Sequence, residues 1–475
     1  FPETNIFIVD RKMTKTRHDF LQALARRKGF AVCDQYGSAV THIVAEDLST
    51  EQVMEYFHNK GVTSLYPGQE LLTMEWFTKS MEEKQPVPCT DHLRLKPAQA
   101  AVPVSTEKMT LPKHECQRIT RLKHHNHRFT TALEVLEEHA GYLQVGQKTD
   151  SRARAFRRAA CSLKALPHPL TNVEEARTLP HVGTHSLSVI QDILEDGYSQ
   201  EVQDISDGDF YGTMQLFTGI FGVGSATARK WYERGFRTLD DIRNDSTLSL
   251  KKDQTIGLEL YQDLNTPYAK MVIESMCACV QGIPIRNFRA FGCKTRVQGP
   301  KIGKTKGHDV DLLISHPTEG KETGLLSAVL AKLREKDLLA YETTSANTYD
   351  PSSVSRKEYT LDHFERCFSI FKLDKSLISS NQNTKQAPPS PTWIGRRVDL
   401  IIAPASQYAY ALVGWTGSKH FNRSLRLYAD NEMNMKLTNH VLYDSVKNQY
   451  LPASSEEDVF LHLQLPYREP AERNC

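Results

Sequence analysis

Two aspartates stand one residue apart at the mouth of an apolar strand, in Gly307-His308-Asp309-Val310-Asp311-Leu312-Leu313-Ile314. Successive side chains of a strand turn to opposite faces, so Asp309 and Asp311 share one face and Val310 takes the other. Like charges that close are costly unless a cation lies between them. A third aspartate, Asp399, occupies a segment of the same character, Arg396-Arg397-Val398-Asp399-Leu400-Ile401-Ile402. If the two strands are neighbours, three carboxylates converge on two divalent ions, and an all-oxygen ligand set suits magnesium or manganese. One ion would lower the pKa of an attacking hydroxyl, and the other would steady a phosphate-bearing leaving group. A lone D-x-D is a common surface feature. The pairing of G-H-D-V-D with a later R-V-D is far more specific.

The elements that must hold these residues can be read around them. Residues 267–405 are dominated by strand patterns, including Phe368-Ser369-Ile370-Phe371, and 376–392 read as a polar, Pro-rich surface loop. Residues 406–475 mix short helices and strands. Residues 118–266 are mostly helical and rich in basic residues, with dense runs at Lys113 to Arg128 and Arg152 to Arg158. Such runs suit a polyanion such as DNA, or equally a solvated helix face. Residues 93–117 have several prolines and little hydrophobic pattern, so a flexible linker is expected there. Residues 1–92 read as a compact α/β module with strands at Asn5–Val9 and Thr41–Val44. A helix from Thr16 to Lys28 stops at Gly29.

Composition narrows the class. A chain of 475 residues, 39% hydrophobic and 24% charged, is an ordinary globular protein of several domains. No apolar run of about 18 residues suggests a membrane span. Nine cysteines without C-x2-C spacing argue against both a disulfide framework and zinc, which points to a reducing compartment. The sequence opens Phe1-Pro2, so any targeting signal is expected to lie outside it.

Two segments read as a helix, a tight Gly-containing turn and a second helix. They are Leu179-Pro180-His181-Val182-Gly183-Thr184-His185 and Phe221-Gly222-Val223-Gly224-Ser225-Ala226-Thr227-Ala228-Arg229-Lys230. A Gly-x-Gly that opens a helix lets free backbone N–H groups approach a phosphate. Such turns can grip the DNA backbone without reading sequence, although a bare Gly-x-Gly also occurs in ordinary helix–helix turns; two of them in a basic helical region favour DNA.

Together these features resemble the family X DNA polymerases. Residues 1–92 resemble a BRCT domain in their strand–helix order, the Arg27-Lys28-Gly29-Phe30 turn, the T-H-I-V strand and the late helical Trp76, which is expected in the core. The two glycine turns resemble the family's helix-hairpin-helix motifs, and Gly414-Trp415-Thr416-Gly417-Ser418-Lys419 its motif beyond the third aspartate. The resemblance implies an α+β multidomain fold. It has an N-terminal α/β BRCT module (1–92), a linker (93–117) and a helical DNA-binding domain with the first hairpin (118–200). A fingers-like domain with the second hairpin (201–266), a nucleotidyltransferase palm with a mixed sheet (267–405) and a small α+β thumb (406–475) follow.

By the same resemblance Asp309, Asp311 and Asp399 match the catalytic ligands of two Mg²⁺ or Mn²⁺ ions. Backbone carbonyls of Thr218, Ile220 and Val223 match ligands of a monovalent cation, Na⁺ or K⁺. Gly299, Lys304, His308, Gly414, Trp415 and Asn439 match nucleotide-binding positions, and Gly183, Gly222, Gly224, Lys419, Arg423 and Arg426 match DNA-contacting ones. Two branches of the family carry Gly-Trp at 414–415, where others carry Tyr; Gly414 leaves room for a 2′-hydroxyl, so ribonucleotides should be accepted beside deoxyribonucleotides. Ser315–Gly320, Ala403–Gln407 and Gly417–Lys419 look more like one branch, and Asn439 more like the other. Relatives with 5′-deoxyribose phosphate lyase activity carry a lysine where this chain has Val189, so no lyase is expected. The resemblance implies a nuclear monomer acting on gapped or broken DNA, with the BRCT module docking to the Ku heterodimer and an end-joining ligase complex. Template dependence would be set by a loop near Thr343 to Lys357.

One stretch departs from the family. Before G-H-D-V-D these polymerases carry Gly-Gly-Phe-Arg-Arg-Gly-Lys, whereas this chain has Gln298-Gly299-Pro300-Lys301-Ile302-Gly303-Lys304. Ile302 in place of arginine removes a charge-assisted phosphate contact worth about 1.5–3 kcal/mol, which predicts weaker nucleotide affinity. The alternative is a mis-assembled exon over 271–303.

Overall fold

The computed structural model describes residues 1, 3–11, 13, 15–46, 48–96, 111–143, 151–269, 280, 306–307, 309–350, 362–375 and 392–475. Backbone contacts gather them into two units. One comprises Phe1–Thr110, Asn126–Leu136 and Pro169–Asp207, and the other Leu111–His125, Glu137–His168 and Gly208–Cys475.

The first unit contains β1 (Asn5–Ile8), α1 (Lys15–Arg27), β2 (Ala31–Val32), β3 (His42–Ala45), α2 (Thr50–Asn59), β4 (Glu70–Thr73) and α3 (Met74–Glu83). The strands pair in parallel in the order β2-β1-β3-β4. A parallel sheet needs helices on both faces. Ile6, Ile8, Leu21 and Trp76 share one apolar cluster, and Phe7, Ile43, Val53 and Phe57 another. Trp76 is fully buried, and its indole N–H donates to the Val87 carbonyl at 2.8 Å. Gly29 follows α1 at φ +89°, the left-handed backbone expected of a helix stop.

The expected linker at 93–117 is corrected at both ends. Leu93 and Leu95 are buried, and the Leu95 N–H donates to the Leu71 carbonyl at 2.9 Å. At the other end Glu115 and Cys116 are buried. Glu115 accepts from Arg158 Nε at 2.5 Å and from Ser424 Oγ at 2.9 Å, so a segment that reads as polar and open is held by buried charge pairing. Residues 97–110 lie outside the described residues. The basic runs also do structural work: Arg157 pairs with Glu137 at 2.5 Å and Arg118 donates to Ser162, while Arg152 and Arg154 remain exposed.

Helices follow in order: α4 (His127–Leu143), α5 (Ser151–Lys164), α6 (Val173–Thr178), α7 (Thr184–Glu195), α8 (Gln200–Asp207) and α9 (Asp209–Thr218). They continue with α10 (Ser225–Glu233), α11 (Leu239–Asn244), α12 (Lys252–Glu259) and α13 (Tyr261–Asn265). The first hairpin turn joins α6 to α7, and the second joins α9 to α10. Val189 on α7 is buried.

A two-stranded pair, β5 (Tyr268–Ala269) and β6 (Lys306–Gly307), leads into β7 (Asp309–Ile314), α14 (Leu325–Glu335), β8 (Leu339–Ser345), β9 (Glu365–Asp374) and β10 (Trp393–Ile402). These four long strands form a mixed sheet of order β7-β10-β9-β8, with β7 and β10 parallel and the other pairs antiparallel. One face carries Val310, Leu312, Val398 and Leu400 against Leu326, Val329 and Leu333 of α14. The chain closes with α15 (Tyr408–Thr416), α16 (Lys419–Met433), the antiparallel strands β11 (Met435–Leu437), β12 (Leu442–Asp444) and β13 (Gln449–Leu451), and α17 (Glu456–His462).

Candidate active site

The parallel register of β7 and β10 sets Asp311 opposite Asp399 and Asp309 opposite Arg397. All four side chains therefore rise from the sheet face away from α14. Asp399 and Asp311 are 2% and 6% exposed, and Asp309 is half-exposed. Burial, with Asp399 and Asp309 adding like charge, pushes the Asp311 carboxyl well above its ordinary pKa. Burial also raises Asp399, although Arg397 opposes the shift. Arg397 grips Asp399 through Nη2 and Nε at 2.7 and 3.2 Å, and its Nη1 lies 3.9 Å from Asp309. Burial works against the Arg397 charge, yet the three carboxylates together hold its pKa above the ordinary value.

One guanidinium cannot neutralise three carboxylates in a water-poor site, and Asp311, which Arg397 does not pair, favours its protonated form until a cation arrives. The donor set fits hard divalent cations. Among the described residues no three metal-binding side chains already surround one point, and Arg397 lies between Asp309 and Asp399. Arg397 belongs to the R-V-D motif, and the motif alone assigns it no role. Period-2 spacing from Asp399 is the signal that could have found it.

The same sheet face is roofed further along by α15, with Leu313 and Ile401 packed beside Tyr408, Leu412 and Trp415. Gly414 and Trp415 thus lie over the face that carries the aspartates. Gly414 is crowded: a Cβ there would lie 2.6 Å from Cγ of Asn439. Asn439 accepts from Arg426 Nη2 at 2.6 Å, and Asn422 Nδ2 donates to the Gly414 carbonyl at 2.6 Å. Burial lowers the Arg426 pKa, with Asp362 opposing. Lys419 and Arg423 are exposed on α16. Gly299, Lys304, His308, the Gln298–Lys304 departure and the rest of the expected loop beyond Asp350 up to Lys357 lie outside the described residues.

The second hairpin reaches this site. A cavity of about 420 Å³ is lined by Thr218, Ile220 and Val223 of the turn together with Asp309, Phe368 and Arg397. Arg397 lies over the rings of Phe221 and Phe368, at 5.7 and 5.9 Å from their centroids. Gly222 adopts φ +82°, which favours glycine, and Gly224 is the N-cap of α10 in extended backbone. Gly183 likewise precedes α7 in extended backbone. Its turn belongs to the first unit, so the two hairpins are separate features.

A sheet with this carboxylate pattern, a hairpin turn in its cavity and a helical Gly-Trp roof agrees with matches along the sequence. Residues 124–199 match a helix-hairpin-helix domain, 215–265 the fingers domain of DNA polymerase lambda, and 411–474 the DNA polymerase beta thumb. The chain belongs to the family X DNA polymerases, DNA nucleotidyltransferases that use divalent metal ions. It is 39% identical to the DNA-directed DNA/RNA polymerase mu of Homo sapiens, across all of this chain and 95% of that protein. It is 37% and 36% identical to the DNA nucleotidylexotransferases of Xenopus laevis and Ambystoma mexicanum, again over its whole length and 94% of each. No helix among the described residues is long and apolar enough to cross a membrane.

Proposed function

We propose that the chain is a DNA-directed DNA polymerase of the polymerase mu kind, which fills gaps and extends DNA ends when double-strand breaks are rejoined in the nucleus. The observation that carries this reading is the β7–β10 register, which brings Asp309, Asp311 and Asp399 to one face under the Gly414–Trp415 helix. Two bound divalent ions would supply an activated primer 3′-hydroxyl and neutralisation of the departing pyrophosphate. The three aspartates hold those ions, and burial of Asp311 and Asp399 keeps bulk water from their inner oxygens. The second hairpin holds the primer strand by its backbone, through the N–H groups of Gly222 and Gly224, with a monovalent cation on the carbonyls of Thr218, Ile220 and Val223. Lys419, Arg423 and Arg426 line primer and template, and Gly299, Lys304, His308, Trp415 and Asn439 the nucleotide. The first hairpin, at Gly183, grips DNA as well, without lyase chemistry at Val189.

Gly414 carries no side chain of its own to crowd a 2′-hydroxyl, in keeping with the name of the human relative, a DNA/RNA polymerase. Ribonucleotides are therefore expected to be incorporated nearly as well as deoxyribonucleotides. Gly414→Tyr should restore discrimination but must also displace Asn439 from Arg426. Competition between ribo- and deoxyribonucleotides measures this, and a wild type that rejects ribonucleotides sinks the argument. The parallel N-terminal sheet is read as a BRCT module docking to Ku and the ligase complex. Deleting 1–92 is expected to leave gap filling unchanged and to weaken co-assembly with Ku on DNA ends. The domain limits given above, apart from the two ends of the linker, and a monomeric state belong to the same reading.

The second reading is a template-independent terminal transferase, favoured by Asn439 and by the similarity to nucleotidylexotransferases. Extension of a gapped duplex and of a single strand, with Mg²⁺ or Mn²⁺, tests both. Templated filling supports the first reading, and equal extension of the single strand supports the second. No extension of either substrate would leave a non-catalytic end-binding scaffold.

A further inference from the structure

The turn between α9 and α10 carries a negative charge that a grip on a polyanion does not call for. A Cβ on Gly222 would lie 2.6 Å from Cγ and 2.7 Å from Oδ2 of Asp253, so this carboxylate rests directly on the turn. Asp253 is the second residue of α12, and its Oδ1 accepts from the Gln254 N–H at 3.0 Å. The Gln254 side chain donates to the Gly222 carbonyl at 3.4 Å, which ties α12 to the turn. Asp253 has no ion-pair partner among the described residues. It lines the same cavity as Thr218, Ile220, Val223 and Asp309. Arg397, the cation among the described residues lining that cavity, is already committed to Asp399 and Asp309.

We propose that Asp253 makes the second hairpin a cation-gated grip on DNA, in which a monovalent cation at the turn must offset the Asp253 carboxylate before a phosphate can bind. This rests on the reading of the turn as a DNA contact. Neutral carbonyls attract a cation and repel a phosphate through their partial charges only. A carboxylate against the turn does both more strongly, since its charge acts across a few ångströms of poorly screened space. A single carboxylate beside neutral carbonyls gives a net charge of −1, which suits a monovalent ion better than a divalent one. The competing explanation is that Asp253 serves only the first turn of α12, where a negative charge is favourable. That explanation leaves DNA binding indifferent to the residue.

The test is the affinity of the full chain for a fluorescent duplex with a recessed 3′ end, without nucleotide or divalent ion. K⁺ is replaced by tetramethylammonium, too large to enter the turn, at constant ionic strength. The wild-type Kd is expected to rise about tenfold on the replacement. For Asp253→Asn it should rise less than about twofold, with tighter binding than wild type in tetramethylammonium. Asp253→Glu should keep the wild-type response, and Asp253→Ser replaces the Asn variant if that fails to fold. An Asn variant as K⁺-dependent as wild type, or a wild type with no dependence, overturns the proposal. A wild type that binds the duplex in neither salt overturns the DNA reading of the turn itself.

Discussion

In the first hairpin Gly183 has ordinary extended backbone at φ −85°, and a Cβ there would meet nothing within 4 Å. In the second, Gly222 is left-handed at φ +82° and pressed against Asp253, and Gly257 of α12 lies so close that a Cβ would be 2.5 Å from the Phe221 carbonyl. Two turns that look alike in sequence thus differ in how their glycines are used. The first needs only a helix start. The second is built into a packed junction of α9, α10 and α12 that also lines the cavity of the aspartates. A glycine motif reports that the backbone can approach a ligand closely, but only the surrounding packing says whether glycine is required.

Glycine replacements put numbers on that contrast. Gly257→Ala should cost the most, about 3 kcal/mol, because its new methyl meets Phe221 backbone that cannot step aside. Gly222→Ala should cost about 1–2 kcal/mol for the left-handed backbone, since the Asp253 side chain can swing away. Gly183→Ala should cost under about 1 kcal/mol, the price of a poorer N-cap. Thermal unfolding of the unit that holds each residue gives the order, and binding to a recessed duplex should weaken in the same order. Equal losses at Gly183 and Gly222 would erase the distinction between the hairpins.

Much of this was legible in the sequence, and the limits are instructive. Alternating polarity put Asp309 and Asp311 on one strand face, and the apolar residues of Val398–Ile402 marked a second strand. Parallel pairing of these two strands, with Asp311 opposite Asp399, is a property of the sheet that neither segment carries alone. Trp76 was readable as core because a large apolar ring in an amphipathic helix has few other places to go. The segment 111–117 was misread because its composition is polar, and only distant partners, Arg158 and Ser424, decide that Glu115 is buried. Asp253 and Gly257 were invisible for the same reason: what matters about them is a contact with residues more than thirty positions earlier. The crowding of Gly414 by Asn439 joins α15 to the turn after β11 and likewise has no local signature.

The central claim is that Asp309, Asp311 and Asp399 form one metal-dependent centre for nucleotide addition. The most direct measurement is single-turnover extension of a recessed primer, with Mg²⁺ or Mn²⁺, by wild type and by Asp309→Asn, Asp311→Asn and Asp399→Asn, alongside duplex affinity. Each variant should lose at least about a thousandfold in rate, a barrier increase of about 4 kcal/mol, while duplex affinity stays within about threefold. A variant that extends primers within about tenfold of wild type would remove its aspartate from the centre and contradict the account.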